Sequence, residues 1–193
     1  MGYKHQAEDI IKRGMELIRT KGYHNVGINE ILKASNIPKG SFYNFFSSKE
    51  DFAKKAMDSY GSSSLQMIQS FLHNQTLSPI QRLRSFYTYL IDANEEEGFI
   101  AGCLINTISM EVGGLNPALA EGADINFTSW LEEIAICVKE GQDKGEIRTD
   151  YSPKALAEYM HVGTYGGFSR MKMTKNREYL DSWLEMTFTF LGT

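Results

Sequence analysis

The apolar residues of the chain recur mostly at intervals of three or four positions, which is the spacing of one face of an α-helix. Strict alternation of apolar and polar residues, the pattern of a half-buried strand, is absent over any length. The first helical segment, residues 7–22, ends at a glycine and places on one face Ile10, Ile11, Gly14, Leu17 and Ile18. The pattern therefore predicts an all-α fold of about nine helices.

Start and stop signals divide this pattern into separate helices. Asn36 tolerates the left-handed conformation of a tight turn, and Pro38 suits the first position of a helix because it loses no hydrogen bond there. Ser47 and Ser48 provide a cap for the long helix that follows. The predicted helices are residues 7–22, 28–35, 39–45, 49–73, 79–94, 99–112, 117–144, 153–171 and 176 onward.

The net charge of −4 conceals an uneven distribution along the chain. Residues 1–55 carry ten Lys or Arg against six Asp or Glu, whereas the remainder carries ten against eighteen. This asymmetry favours a small basic module that meets a polyanion, attached to an acidic body with another role.

Several classes of protein are disfavoured by composition. The longest apolar stretches fall short of the roughly 18 residues that span a bilayer, and the polar N-terminus lacks the apolar segment of a signal peptide. The two cysteines, Cys103 and Cys137, are too few for a disulfide framework. We therefore expect a cytoplasmic protein without a membrane partner.

An enzyme is the main rival interpretation. The four histidines, His5, His24, His73 and His161, have no metal-ligand spacing, and the chain lacks a nucleophile elbow, a phosphate-binding loop and a dinucleotide fingerprint. We therefore expect no catalytic residue, no metal site and no cofactor. A helical binding module that has lost affinity for DNA is the second rival.

Two short predicted helices, joined by a tight turn and preceded by a third, form the framework of a helix-turn-helix DNA reader. Gly40 and Ser41 keep the start of the second short helix slim, which allows its backbone to approach the major groove. The expected small core consists of Ile28, Ile31, Leu32, Ile37 and Phe42. Donors on the exposed side are Lys39, Tyr43, Asn44 and Lys49, although Tyr43 also suits a core and the lysines also suit a solvated surface.

Residues 22–50, and the run IPKGSFYNFFSSKED above all, closely resemble the signature of the tetracycline-repressor (TetR) family. The clear resemblance covers residues 7–56. It implies an N-terminal three-helix helix-turn-helix DNA-binding domain, residues 1–48, and a C-terminal helical-bundle domain for ligand binding and dimerisation, residues 49–193. It also implies a ligand-responsive regulator, a repressor, that binds a palindromic double-stranded DNA operator as a homodimer and is released by a small-molecule inducer.

The resemblance assigns roles to individual residues. Tyr43 and Lys49 correspond to phosphate-contacting positions. The groove-facing positions are Pro38, Lys39, Gly40, Ser41 and Asn44. Three residues depart from the family pattern, because Gly27 replaces a capping Thr or Ser, Phe45 replaces His or Tyr, and Gly14 replaces Ala.

The last two predicted helices are the expected dimer interface. Gly163 and Gly167 are four residues apart and allow close approach of two helices, although a locally kinked helix is the alternative. The full set of expected interface residues is Gly163, Gly167, Leu180, Trp183, Leu184 and Leu191.

The segment GCLINT, around Cys103, offers the best candidate for effector binding. It resembles a run in TetR-family repressors that respond to electrophiles and quinones. Cys103, Asn106, Thr107 and Met110 share one face of the predicted helix, and further pocket candidates are Trp130, His161, Tyr165 and Phe168. Each of these residues also suits an ordinary core, and Cys103 is either a reactive thiol or a small buried hydrophobe.

Overall fold

A computed structural model describes residues 2–38 and 40–192, with side chains described from residue 7 onward. These residues form eight α-helices and one short 3₁₀ helix, Phe42–Asn44. The α-helices are α1 (Gly2–Lys21), α2 (Ile28–Ala34), α3 (Lys49–Leu72), α4 (Pro79–Glu96), α5 (Leu104–Val112), α6 (Pro117–Asp143), α7 (Pro153–Thr174) and α8 (Glu178–Leu191). The described residues contain no β-strand, which confirms the all-α prediction.

Local signals in the sequence set most of the helix ends. Gly22 adopts φ +93° after α1, and Asn36 adopts φ 54° after α2, as the turn chemistry predicts. Ser48 caps α3, because its Oγ accepts a hydrogen bond from the backbone N–H of Asp51 at 3.0 Å. Ser152 caps α7 in the same way through Ala155.

Three predicted helices differ clearly from those observed, and one of them is α1, which begins at Gly2 instead of residue 7. The predicted helix over residues 39–45 is only the 3₁₀ helix Phe42–Asn44, because glycine, serine and asparagine are weak helix formers and the segment is too short to propagate. α5 begins at Leu104 instead of residue 99. Gly98 and Phe99 both have positive φ, 70° and 58°, and consecutive left-handed residues do not fit a right-handed helix.

The chain divides into two compact units. Unit 1 comprises Met1–Ser63 and Ala101–Asn126, so that it contains α1, α2, the 3₁₀ helix and α5 together with parts of α3 and α6. Its buried side chains include Ile10, Ile31, Phe42, Phe52, Ile105 and Ile108. The expected division into residues 1–48 and 49–193 stays a prediction about the roles of the two parts.

Unit 2 comprises Ser64–Ile100 and Phe127–Thr193. Its core includes Leu83, Phe86, Val138, Met160 and Leu184. Arg82 is fully buried within this unit and is held by the carbonyl of Leu72 at 2.5 Å and the carboxylate of Glu140 at 2.6 Å. No helix of the described residues is long and apolar enough to cross a membrane.

Candidate functional site

A cluster of aromatic rings supports the segment that follows α2. Phe42, Phe46 and Phe52 are fully buried, with ring centroids 5.0 to 5.9 Å apart. A Cβ at Gly14 would lie 2.3 Å from Cζ of Phe52. The replacement of the usual alanine by Gly14 is therefore explained by the close approach of the Phe52 ring to α1. The cluster fixes the 3₁₀ helix against the rest of unit 1.

The side chains that alternate with this cluster point outward. Tyr43 is 65% exposed although its neighbour Phe42 is completely buried. Asn44, Pro38 and Gly40 are also exposed, and Ser41 is half-buried. Lys39 lies outside the described residues. A tyrosine hydroxyl and a carboxamide on an exposed turn present hydrogen-bond donors of the kind that contact phosphates and base edges.

Lys49 is the first residue of α3 and is half-buried. Its Nζ donates to the carbonyl oxygen of Tyr23 at 2.5 Å and lies 4.2 Å from the centre of the Tyr23 ring. Burial lowers the pKa of the Lys49 ammonium, and the negative charge of Glu111 raises it. Because an ammonium has three donors, the hydrogen bond to Tyr23 uses only one of those of Lys49.

The predicted small core is only partly buried. Ile31 and Leu32 are buried with Phe42, whereas Ile28 and Ile37 are half-buried. Gly27 is the residue before α2 and forms no side-chain cap, as expected from the loss of Thr or Ser.

The inner faces of α7 and α8 pack against each other within unit 2. A Cβ at Gly163 would lie 2.1 Å from Nε1 of Trp183, and one at Gly167 would lie 2.3 Å from Cδ2 of Leu180. The side chains of Leu180, Leu184 and Leu191 are already buried within the single subunit. The close approach that the glycines indicated is therefore between two helices of one subunit, and the alternative of a broken helix is wrong because α7 is continuous.

A different set of residues on these helices is exposed, and the sequence reasoning missed it. Their positions follow a spacing of three and four residues on both helices, the repeat of coiled-coil interfaces. None of them carries a charge. We call this set the outer stripe: Tyr159, Val162, Gly166, Ser169 and Met173 on α7, with Tyr179, Ser182, Met186 and Thr189 on α8. The repeat itself was the signal that could have identified it.

The residues predicted to contact an effector from α5 differ in their surroundings. Cys103 is half-buried and immediately precedes α5. Thr107 Oγ1 donates to the carbonyl of Cys103 at 2.9 Å, and Asn106 is half-buried. Met110 is 80% exposed, so it does not line an enclosed site in this structure. The pKa of the Tyr60 hydroxyl is raised mainly by burial. The second cause is the neighbouring thiol of Cys103, with which Tyr60 forms a side-chain hydrogen bond.

The remaining effector candidates form an aromatic cluster in unit 2. The ring of Phe127 lies 5.5 Å from that of Trp130, 4.9 Å from that of His161 and 5.9 Å from that of Tyr165. Phe168 joins through Tyr165, at 6.4 Å. Burial lowers the pKa of His161 to about 4, so its imidazole is neutral at pH 7. The structure brings Trp130, His161, Tyr165 and Phe168 together as a group.

Comparison with known families identifies the class of protein. Residues 10–56 match the family described as "Bacterial regulatory proteins, tetR family". Residues 79–187 match "Tetracyclin repressor-like, C-terminal domain", which is more than half of the chain. The chain therefore belongs to the TetR family of DNA-binding transcriptional regulators, which are not enzymes.

Individual relatives are similar over nearly the whole chain. The HTH-type transcriptional repressor DhaR of Mycobacterium sp. strain GP1 is 31% identical over 95% of this chain and 91% of its own length. The transcriptional regulator AcuR of Cereibacter sphaeroides is 32% identical over 91% of this chain and 80% of its own. The crystal structure of a regulatory protein TetR from Rhodobacter sphaeroides superposes with a TM-score of 0.90 at 30% identity, covering 95% of this chain and 97% of the other.

Proposed function

We propose that this chain is a ligand-responsive transcriptional repressor that binds a palindromic DNA operator as a homodimer and leaves it when a small-molecule inducer binds. The observation that carries the proposal is the exposed Tyr43 beside the fully buried Phe42, within a segment that belongs to the family's DNA-binding region. A cytoplasmic location, where operator DNA is found, is part of this proposal.

We call residues 28–49, which contain α2, the 3₁₀ helix and the first residue of α3, the DNA reader, and we propose that it contacts DNA with two kinds of residue. Tyr43 and Lys49 bind phosphates, which fixes the position of the reader on the duplex without reading sequence. The residues that face the major groove are Pro38, Lys39, Gly40, Ser41 and Asn44. Asn44 is the one among them whose carboxamide can both donate to and accept from base edges, so it carries the largest share of sequence preference.

The outer stripe supports a homodimer. Val162 and Met186 are 68% and 71% exposed, and no charge on the stripe opposes burial against an apolar partner. Gly166, Ser169 and Ser182 are small and allow two helix pairs to approach closely. A symmetric dimer presents two readers to a palindrome, whose symmetry mirrors that of the protein. In this proposal Gly163, Gly167 and the buried leucines support the interface from within the subunit.

The effector acts on the sensor candidates of residues 49–193. Cys103, Asn106, Thr107 and Met110 on α5, and the aromatic cluster of unit 2, are the residues that we expect an inducer to affect. An inducer that binds the released conformation more tightly than the operator-bound one shifts the population away from DNA.

Three variants test the reader on an operator recovered by selection from random DNA. Tyr43→Ala and Lys49→Ala each remove one phosphate contact, so we expect about tenfold weaker binding to every sequence. Asn44→Ala changes the ranking of operator variants, because it removes a base contact. Lys154→Ala, an exposed lysine of α7, is the matched control and leaves binding unchanged.

Gel retardation at fixed salt provides the measurement, with circular dichroism to verify that each variant is folded. Parental affinity in all three reader variants would contradict the assignment of the reader.

Cys103 tests the chemistry of induction separately. If the thiol senses an electrophile, Cys103→Ser binds the operator like the parent protein and no longer responds to the inducer. An unchanged response would show that Cys103 serves only in packing.

A further inference from the structure

The side chain of Glu111, on α5, reaches the turn that follows α1. One carboxylate oxygen accepts the backbone N–H of Tyr23 at 2.9 Å, and the other accepts that of His24 at 2.7 Å. These N–H groups lie just beyond the end of α1, where the backbone has no helical partner for them. α5 and the turn belong to the same compact unit although 87 residues of sequence separate His24 from Glu111.

The turn is shaped to admit this carboxylate. Gly22 has φ +93°, a backbone conformation that residues with a side chain rarely adopt. A Cβ at Gly22 would lie 2.4 Å from Oε1 of Glu111, which is closer than any real contact of that kind. Both the backbone conformation and the missing side chain are thus required for Glu111 to bind here.

The carbonyl side of Tyr23 is held by Lys49, the first residue of α3. The carbonyl of Tyr23 accepts from Nζ of Lys49, and the Tyr23 ring lies under the ammonium. Tyr23 is therefore connected to α5 through its N–H and to the first residue of α3 through its carbonyl. Asn116, shortly after α5, adds a hydrogen bond to Glu50 at 2.6 Å.

We infer that Glu111 is a positioning residue for operator binding, because it fixes the Tyr23 turn on which Lys49 rests. The inference rests on the proposed function in assigning Lys49 to a phosphate. When Glu111 holds the turn, the Lys49 ammonium keeps its position against the carbonyl and ring of Tyr23. When the carboxylate is lost or α5 moves, the backbone N–H groups of Tyr23 and His24 lose their acceptor, and the turn no longer fixes the position of Lys49. Because α5 also carries the sensor candidates Asn106 and Thr107, Glu111 connects them to the DNA reader.

The variant Glu111→Gln tests this role, since it keeps the size of the side chain and removes the charge that serves two N–H groups. We expect operator affinity to fall about tenfold. We also expect the slope of log affinity against log salt to decrease by about one, the signature of a lost phosphate contact. Hydrogen exchange at the amides of Tyr23 and His24 accelerates. Glu121→Gln, an exposed glutamate of α6 in the same unit, is the control and changes none of these quantities.

A double-mutant cycle with Lys49→Met sharpens the result. If Glu111 acts through Lys49, the two substitutions together cost little more affinity than Lys49→Met alone. Additive losses, or a tenfold loss in Glu111→Gln with an unchanged salt slope, would overturn the inference and leave Glu111 a purely structural residue. Parental affinity in Glu111→Gln would overturn it as well.

A failure of the variant to fold and a failure of the parent protein to bind DNA can both be distinguished from the outcomes above. If the glutamine variant does not fold, Glu111→Asp carries the same test, because it keeps the charge and shortens the reach by one methylene. If the parent protein itself shows no specific operator binding while remaining folded, the proposed function fails, and the exchange rates of Tyr23 and His24 still decide whether Glu111 holds the turn.

Discussion

The reader and the α7–α8 pair expose surfaces of different chemistry. In the reader, three phenylalanine rings are buried and the adjacent Tyr43 and Asn44 carry polar groups into solvent. In the α7–α8 pair, leucines and a tryptophan are packed inside the subunit, and the outer stripe leaves Val162 and Met186 exposed among positions that carry no charge of their own. Polar donors on a rigid turn suit nucleic acid, whereas an uncharged heptad stripe suits another protein helix.

The glycines of α7 show how the two faces of one helix differ. Gly163 and Gly167 face α8, where a Cβ would overlap Trp183 and Leu180. Gly166 faces outward and has no atom within 4 Å of the position of a Cβ. The first two glycines therefore serve packing within the subunit, and the third is available to a partner.

A charge on the outer stripe should disrupt the protein more than any other substitution considered for α7 and α8. Met186→Glu places a carboxylate in the centre of the proposed dimer interface, where burial without a counter-charge is costly. We expect the dimer to dissociate and operator affinity to fall on the order of 100-fold or more, because a single reader makes half the contacts. Sedimentation velocity measures the first quantity and fluorescence anisotropy the second.

The control for this substitution is Ile136→Glu, which places the same charge on an exposed position of α6. It should leave mass and affinity unchanged. A dimer of normal stability in Met186→Glu would show that the outer stripe is not the interface.

Alanine substitutions at Gly163 and Gly166 compare the inner and outer faces of α7 through their effects on the free energy of unfolding. Gly163→Ala forces a methyl group against the Trp183 indole, so we expect it to lower the free energy of unfolding by about 1 to 3 kcal/mol. Gly166→Ala meets no neighbour and gains helix propensity, so it should raise that free energy by about 0.5 to 1 kcal/mol. Urea denaturation in the Met186→Glu background measures both without a contribution from dimerisation. Equal effects of the two substitutions would contradict the assignment of the faces.

The smallest effect concerns the missing cap of α2. Gly27 has φ −88° and ψ 157°, which suit a capping serine, and no atom lies within 4 Å of the position of a Cβ. Gly27→Ser should raise the free energy of unfolding by a few tenths of a kcal/mol and tighten operator binding about threefold through an added phosphate contact. Weaker binding in this variant would mean that the start of α2 does not face the DNA backbone.

Local signals predicted the turns and caps of the reader, because these depend on neighbouring residues, whereas its role in DNA binding was predicted from the resemblance to the TetR family. Gly22 and Asn36 adopt the left-handed conformation that ends their helices, and Ser48 caps α3, so the structure confirms these three local roles. The length of the 3₁₀ helix was overestimated, since a predicted apolar face does not reveal whether so short a segment propagates as an α-helix.

Features that depend on distant residues were not predictable in this way. Gly163 and Gly167 indicated a close helix contact, but only the structure identifies α8 of the same chain as the contacting helix. The hydrogen bond between Glu111 and the backbone of Tyr23 joins residues that are 88 positions apart, and no periodic pattern in the sequence indicates it. The outer stripe did follow a periodic pattern, but the leucines beside it are more hydrophobic, and burial in the structure was needed to distinguish the two faces of α8.

The mass of the complex between this chain and DNA recovered by selection shows whether the chain binds a palindrome as a dimer. We predict that selection enriches a palindromic sequence and that native mass spectrometry finds an even number of copies, one for each half-site. Enrichment of a sequence without two-fold symmetry, or a complex with a single copy of the chain on the operator, would contradict the claim.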